Sequence, residues 1–439
     1  MLKFIHFSLH SFGIVVALIS LLNLPIFVYG VRGSGSLVSY VVVGLSVISI
    51  AYLSFNRYFD ANNTMILLIV TILSYLILGL MNMFIWEENQ ITTGGFKATE
   101  DWTYIFRIMF QVLIVTFASY KYALFAYRQE QFHFYVNVLI FIAVFGSTIT
   151  LTSPVLGFYS PGFFRPDFNQ MGSLARPAGF YVNPNSAGYH SVVTLLLVIS
   201  LLFRQKSSRI LVFIMLMVAL LSGFITLSKG AILMSFIVLL SYFGLGILSF
   251  KRLYTSSKIS LITVGGLILF SLVQFVLFLV TQFDQLNAFE KSRITQIMDL
   301  LGGKVNTETT TNRSDIAAAG LQWISEAPFL GWGFGSFHSI RYHGDIGIHN
   351  MFLMLMGESG IIPVLLLITF FLFSIYKSVK IENLEYRYLS LTFFLFTLFF
   401  ANGNHNLFDN YEVGFLFGFI CALVKIDNIE KYNALGEVE

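Results

Sequence analysis

The residues best suited to chemistry gather in one stretch. Between 313 and 360 the chain reads RSDIAAAGLQWISEAPFLGWGFGSFHSIRYHGDIGIHNMFLMLMGESG. Its polar half carries Arg313, Arg341, His338, His343 and His349, and it then enters an apolar segment at Asn350. His349 is the leading candidate. A free imidazole titrates at about pH 6.5, so a neutral one accepts a proton at working pH. At the lip of an apolar helix it would face water and membrane together. That position suits a water-soluble hydroxyl reacting with a lipid-anchored group. The plainer alternative is an interfacial histidine bonded to a loop carbonyl. The three histidines are spaced by five and six residues, unlike the close pair of a zinc helix, so no metal site is expected.

Other side chains could hold an anion. Arg176, in LARPAGFYVNPNSAG, offers a planar fork of donors that fits phosphate oxygens. Alternatively it reaches to lipid headgroups, as Arg165 would. Arg313 would open a helix whose first turn presents free backbone N–H groups, with Thr311 or Asn312 as cap. Ile316, Gly320, Trp323 and Ile324 recur at helical spacing, and Glu326-Ala327-Pro328 ends the run. This predicts an amphipathic helix on the outer leaflet. Lys229 in TLSKGAIL is either a snorkelling anchor or a further anion contact. Arg341 is a candidate for the same anion.

Glu358 lies nine residues after His349, inside the apolar run, where a charge is expensive. At about 100° per residue it falls on the opposite helix face. It would then bond a neighbouring helix or Lys229 rather than orient His349 directly. Gly360 would share the His349 face and leave space for a lipid chain or a close helix contact. Gly331, Gly333 and Gly335 alternate with Trp332 and Phe334. This matches no nucleotide-binding motif. It fits either a turn that lets a bulky ligand near the backbone or a purely structural turn. His343, Asn350, Asn185 and His405 are candidates to line the site. His405 sits in a polar cluster with Asn402, Asn404, Asn406 and Asp409 that ordinary turn chemistry also explains. Glu87-Glu88 and Glu100-Asp101 read as solvated charges.

The elements that would position these residues are membrane helices. Of 439 residues, 56% are hydrophobic and 11% charged, against roughly 25% charged in a soluble domain. Mean hydropathy is +0.77. A net charge of +3 is too small to point to nucleic acid. Cys421 is the sole cysteine, so no internal disulfide is possible. Spans need about 20 apolar residues, and about twelve such stretches occur. They lie near 8–30, 37–55, 64–86, 104–126, 134–152, 186–203, 210–227, 230–250, 259–281, 350–376, 388–402 and 411–424. The first is of full spanning length and lacks a small-residue cleavage site, so it should be retained. Ser228-Lys229-Gly230 marks the turn inside 210–250. Lys and Arg concentrate in alternate loops, which predicts cytoplasmic termini. The opposite side holds two long loops, 153–185 and 282–349. The first is too rich in Pro and Gly for a long helix, and Asn183-Pro184-Asn185-Ser186 reads as the cap of the next span. The tail after Lys425 should fray. The prediction is an all-α polytopic protein, one integral membrane domain over 1–439.

Several blocks together resemble a known family. RPAGFYVNPNSAG, TLSKGA and NRSDIAAAGLQWISEAPFLGWGFGSF, followed by HNMFLMLMGESGII, are similar to the O-antigen polymerase and O-antigen ligase superfamily. The likeness covers roughly 170–365. It implies a GT-C-like membrane glycosyltransferase at the outer face of the bacterial inner membrane. The donor it implies is an oligosaccharide on undecaprenyl diphosphate, with no metal, nucleotide sugar or other cofactor. It implies His349 as general base, and Arg176 and Arg313 as diphosphate ligands. Lys229 stands where the family often has arginine and lacks the bidentate fork.

Within that family a polymerase is expected, joining lipid-linked repeat units into O-antigen, capsule or a related polysaccharide. A ligase passing the glycan to lipid A core or to a protein is the alternative. A flippase or transporter of lipid-linked oligosaccharide is a third reading. The resemblance admits membrane lipids and a chain-length regulator protein as further partners, and no nucleic acid.

Overall fold

The computed structural model describes residues 2–25, 28, 36–55, 61–86, 102–156, 159–160, 176–181, 183–204, 208–266, 291–292, 295–296, 299, 313–334, 336–337, 348–403, 407–408 and 410–434. Apart from an antiparallel pairing of Tyr159–Ser160 with Arg176–Pro177, regular structure among them is helical. The longer helices are α1 (Leu2–Leu21), α2 (Ser36–Phe55), α3 (Asn63–Trp86), α4 (Trp102–Arg128), α5 (Phe132–Leu156), α6 (Pro184–Ser200) and α7 (Arg209–Ile225). They continue as α8 (Lys229–Leu248), α9 (Arg313–Glu326), α10 (Met351–Ser359), α11 (Ile361–Val379), α12 (Leu384–Gly403) and α13 (Tyr411–Ala434). Residues 255–266 are also helical.

Among the described residues, eight helices are long and apolar enough to cross a membrane, within α2, α3, α4, α5, α6, α8, α11 and α12. Ser11–Leu21 and Arg209–Ile225 are shorter apolar helices. Helices satisfy their backbone groups internally, as a lipid-spanning segment must. The chain is an all-α polytopic membrane protein.

Two expected elements differ. The run 350–376 is not one helix: it breaks at Gly360, between α10 and α11. The tail does not fray at Lys425. The helix α13 continues to Ala434, with Ile426 and Asp427 buried. There Lys431 meets Asp427 at 2.8 Å and donates to the Lys380 carbonyl at 2.9 Å. The expected span 259–281 is helical as far as 266, and its remainder lies outside the described residues.

The helix α6 forms the centre. Of the window Pro184–Phe203, 94% is buried, against α5, α7, α8 and α12. A hydrophobic run buried all round reads as a core helix. Asn183 caps it, its Oδ1 accepting from the Asn185 N–H at 2.8 Å, and Pro184 opens it. The tightest pairing is α4 with α13. A Cβ added to Gly418 would stand 1.9 Å from the Thr116 carbonyl oxygen, and one on Gly414 2.4 Å from Val112. Lipid supplies no hydrophobic drive between helices, so a small-xxx-small stripe gains attraction by close approach.

The bundle has two chemically distinct ends. At one, Arg204 makes a forked contact to the Glu385 carboxylate at 2.6–2.9 Å and donates to Asn137 at 2.7 Å. Arg209 donates to Ser256 at 2.9 Å nearby. At the other, Gly188 of α6 abuts Ala231 of α8, and the Tyr189 ring lies 4.5 Å from Phe400 of α12. Toward the arginine end, Phe203 meets Tyr242 at 5.5 Å and Tyr388 at 5.3 Å. Hence α6 and α8 run parallel, and α12 runs against both.

Candidate functional site

Asn350 builds the entrance to α10. Its backbone is extended (φ −148°, ψ 118°), and its Oδ1 accepts from the Phe352 and Leu353 N–H groups at 3.0 and 3.1 Å. This satisfies two donors that a helix start leaves open. Its Nδ2 donates to the Asn402 carbonyl at 3.3 Å, tying α10 to the end of α12. His349, half-buried, stands immediately before this cap. On its other side the Ile348 N–H donates to the Phe337 carbonyl at 3.2 Å. His349 therefore sits between two fixed backbone points.

The short helix α10 is enclosed by protein. It packs on α3, α9, α11 and α12. Its far end is closed by the glycine-rich turn. The Trp332 N–H donates to the Gly357 carbonyl at 2.7 Å, and the Gly333 N–H to the Glu358 carbonyl at 3.0 Å. Carbonyls at a helix end need such partners. The turn is itself fixed to α3, with the Phe334 N–H donating to Gly79 at 2.9 Å and Asn82 donating to the Leu330 carbonyl. Gly331, Trp332, Gly333 and Phe334 thus have a structural role in the framework. Gly335 lies outside the described residues.

Gly360 does not sit beneath His349 with open space around it. It has left the helix, with φ +79°, and a Cβ there would stand 1.9 Å from the Phe329 oxygen. Only glycine fits that conformation and that approach. Likewise the apolar stripe of α9 faces protein, not the outer leaflet. Ile316 and Ile324 are buried, Gly320 meets Ile348, and Trp323 and Trp332 pack edge to face at 6.1 Å. The Trp332 Nε1 also donates to the Trp323 carbonyl at 2.9 Å.

Glu358 is fully buried. Its Oε2 accepts from the Tyr75 hydroxyl at 2.5 Å and its Oε1 from the Phe337 N–H at 3.1 Å. The expected bond to a neighbouring helix is made, to α3. A buried polar group left without partners is costly, and both oxygens here have one.

Among the described candidates, Asn350, Lys229, Asn185 and the start of α9 fall at one end of the bundle, and Glu358 lies at the far end of α10. Gly320 meets Ile348, while Trp323 reaches Trp332 beside Gly357. Thus α9 and α10 run side by side, both starting at the His349 end. Arg313 opens α9, seven residues or about 10 Å before the Ile348 contact. Lys229, half-buried, opens α8, with Ser228 as its cap. From the Tyr242–Tyr388 contact, Lys229 lies about 20 Å up α8 and Asn402 about 21 Å up α12, at the same level. Asn185 is in the first turn of α6. The backbone of Arg176 pairs with Ser160 just before it. The side chains of Arg176 and Arg313 lie outside what is described, as do Arg165, Arg341, His338, His343 and His405. The acidic pairs at 87–88 and 100–101 lie outside it too, as do Thr311, Asn312, Asn404, Asn406 and Asp409. Among the described residues no three His, Cys, Asp or Glu side chains gather to hold a metal ion.

One buried ionisable pair escaped the sequence reading. His190 Nδ1 lies 2.5 Å from Glu412 Oε1, and His190 Nε2 lies 2.8 Å from the Ala143 carbonyl. A carbonyl only accepts, so Nε2 carries a proton and a second proton lies between Nδ1 and Oε1. The pair is neutral overall and joins α5, α6 and α13. Tyr181 stacks on the imidazole at 4.6 Å. The available signal was a His and a Glu inside apolar runs, which are rare in spans. Tyr75 carried no such signal.

No protein-family model matches the chain, and no curated protein matches it.

Proposed function

We propose that the chain is a membrane glycosyltransferase that polymerises lipid-linked oligosaccharide repeat units, a GT-C-like enzyme with about twelve spans. The observation that carries the reading is the placement of His349. It stands at the mouth of a short buried helix, between the Asn350 cap and the Ile348–Phe337 bond. At the same end lie the starts of α6, α8 and α9, hence Asn185, Lys229 and Arg313. His349 takes the proton of an acceptor hydroxyl as its oxygen attacks the anomeric carbon, general-base work worth about 10²–10⁴-fold. The bond to the diphosphate breaks, and the electron pair leaves with the lipid diphosphate. Arg176 and Arg313, with Lys229 and Arg341 as further cations, stabilise that charge. Attack opposite the leaving group inverts the anomeric centre. The basic end, with Arg204 and Arg209, faces the cytoplasm by the positive-inside rule. The site then opens on the outer face of the bacterial inner membrane, with undecaprenyl diphosphate as the donor carrier.

Purified protein given only lipid-linked repeat units tests this. A ladder of products is expected, with inverted linkage. Product that forms only when lipid A core is added makes the enzyme a ligase.

One observation favours a transporter instead. The break at Gly360 makes α10–α11 a discontinuous helix, a device transporters use to bind substrate. Here the freed carbonyls of Gly357 and Glu358 are already taken by Trp332 and Gly333, which leaves that role to the enzyme's framework. Loss of flipping on replacing His349 by Ala, with polymerisation intact, would reinstate the transporter.

A further inference from the structure

Glu358 and His349 lie at opposite ends of a nine-residue helix, yet two hydrogen bonds through Phe337 link the Glu358 side chain to the backbone beside His349. Glu358 Oε1 accepts from the Phe337 N–H at 3.1 Å. The carbonyl of the same Phe337 accepts from the Ile348 N–H at 3.2 Å. Ile348 is bonded directly to His349. The other carboxylate oxygen is held by the Tyr75 hydroxyl at 2.5 Å, and Ser359 donates to the Tyr75 carbonyl at 2.9 Å. The anchor of this strut is therefore α3, a helix remote in sequence. The Phe337 ring is packed as tightly: a Cβ on Gly357 would stand 2.3 Å from it. A half-turn of loop is thus pinned at its N–H, its carbonyl and its ring.

We infer that Glu358 is a positioning residue: acting through the Phe337 backbone, with Tyr75 as its support, it fixes the height and direction of His349. Its carboxylate is buried, and both oxygens are engaged by donors of the framework. Its task is to accept two hydrogen bonds at a fixed spacing. A neutral amide of the same length can accept from Phe337 and face Tyr75 as well. Glu358→Gln should therefore rescue what Glu358→Ala loses, whereas a group acting by its charge on substrate would be lost in both.

The kinetic arm rests on the glycosyltransferase reading; a second readout does not. Glu358→Ala is expected to lower kcat for the lipid-linked repeat unit about a hundredfold, the cost of misplacing a reacting group by about 1 Å. KM should stay within about twofold, since ground-state binding is untouched. In the same variant, diethyl pyrocarbonate should modify His349 several-fold faster, read by site-resolved mass spectrometry. Glu358→Gln should return both readouts to within about threefold of the parent. Where Glu358→Ala does not fold, Glu358→Asp replaces it, since its shorter side chain reaches one partner and not both. Glu358→Gln as impaired as Glu358→Ala would overturn the inference. So would an Ala or Asp variant whose His349 reactivity and kcat match the parent. If the parent protein forms no polymer, the enzymatic reading fails, and the His349 modification rates alone still decide the strut.

Discussion

His349 and Asn350 are adjacent, and the proposed mechanism gives them separate tasks. Asn350 spends its side chain on two backbone N–H groups and the Asn402 carbonyl. His349 is left at the mouth of the helix. Replacing His349 by Ala should lower the initial rate of ladder formation by about 10²–10⁴-fold while the thermal midpoint of the purified protein is preserved. An unchanged rate would remove the general base from the mechanism. Asn350→Ala, in contrast, removes a helix cap worth about 1 kcal/mol. It should lower the thermal midpoint modestly and act on rate only through His349.

The break at Gly360 is what makes α10 a separate element. Trp332 and Gly333 supply N–H groups to its last carbonyls. Gly360 must approach Phe329 at backbone distance and holds a positive φ. Backbone at φ +79°, ψ −168° is essentially reserved for glycine and costs a residue with a Cβ on the order of 1–3 kcal/mol, and the clash at 1.9 Å adds to that. Gly360→Ala should therefore reduce the yield of folded protein and lower its thermal midpoint, measured in detergent. A variant as stable as the parent would mean that α10 and α11 can re-form as one helix.

Across the bundle, the His190–Glu412 pair and the glycine stripe on α13 hold distant helices together. Removing one member of a buried pair leaves the other uncompensated, at a cost of about 3–5 kcal/mol. His190→Ala should lower the thermal midpoint strongly. The double variant His190→Leu with Glu412→Leu should recover much of the loss, since two apolar groups need no partner. A double variant as unstable as the single one would show that the pair does more than neutralise itself. Orientation is testable because the native Cys421 is buried. A cysteine placed at Asn402 should react with a membrane-impermeant maleimide on whole cells, and one at Ser208 should not. The reverse pattern would place His349 in the cytoplasm and end the outer-face mechanism.

The sequence by itself determined the class of molecule, because burying apolar length in lipid is a local property of each run. It located most spans, the Asn183 cap and the turn before Lys229, where type and spacing act over a few residues. It named His349 for the same reason: a titratable ring beside an apolar run is visible without knowing what surrounds it. It read MFLMLMGESGIIPVLLL as one span on its overall hydropathy and passed over the Gly360 break, although Ser359, Gly360 and Pro363 were local signals for it; the close approach of Phe329 from another segment could not be read from spacing. It misread the stripe of α9 as lipid-facing, since a helix pattern says that a face is buried but not what buries it. The partners of Glu358 and His190 come from 283 and 222 residues away in sequence. Hydrogen bonds act at about 3 Å in space and have no counterpart in spacing along the chain. Only the tertiary structure could decide them.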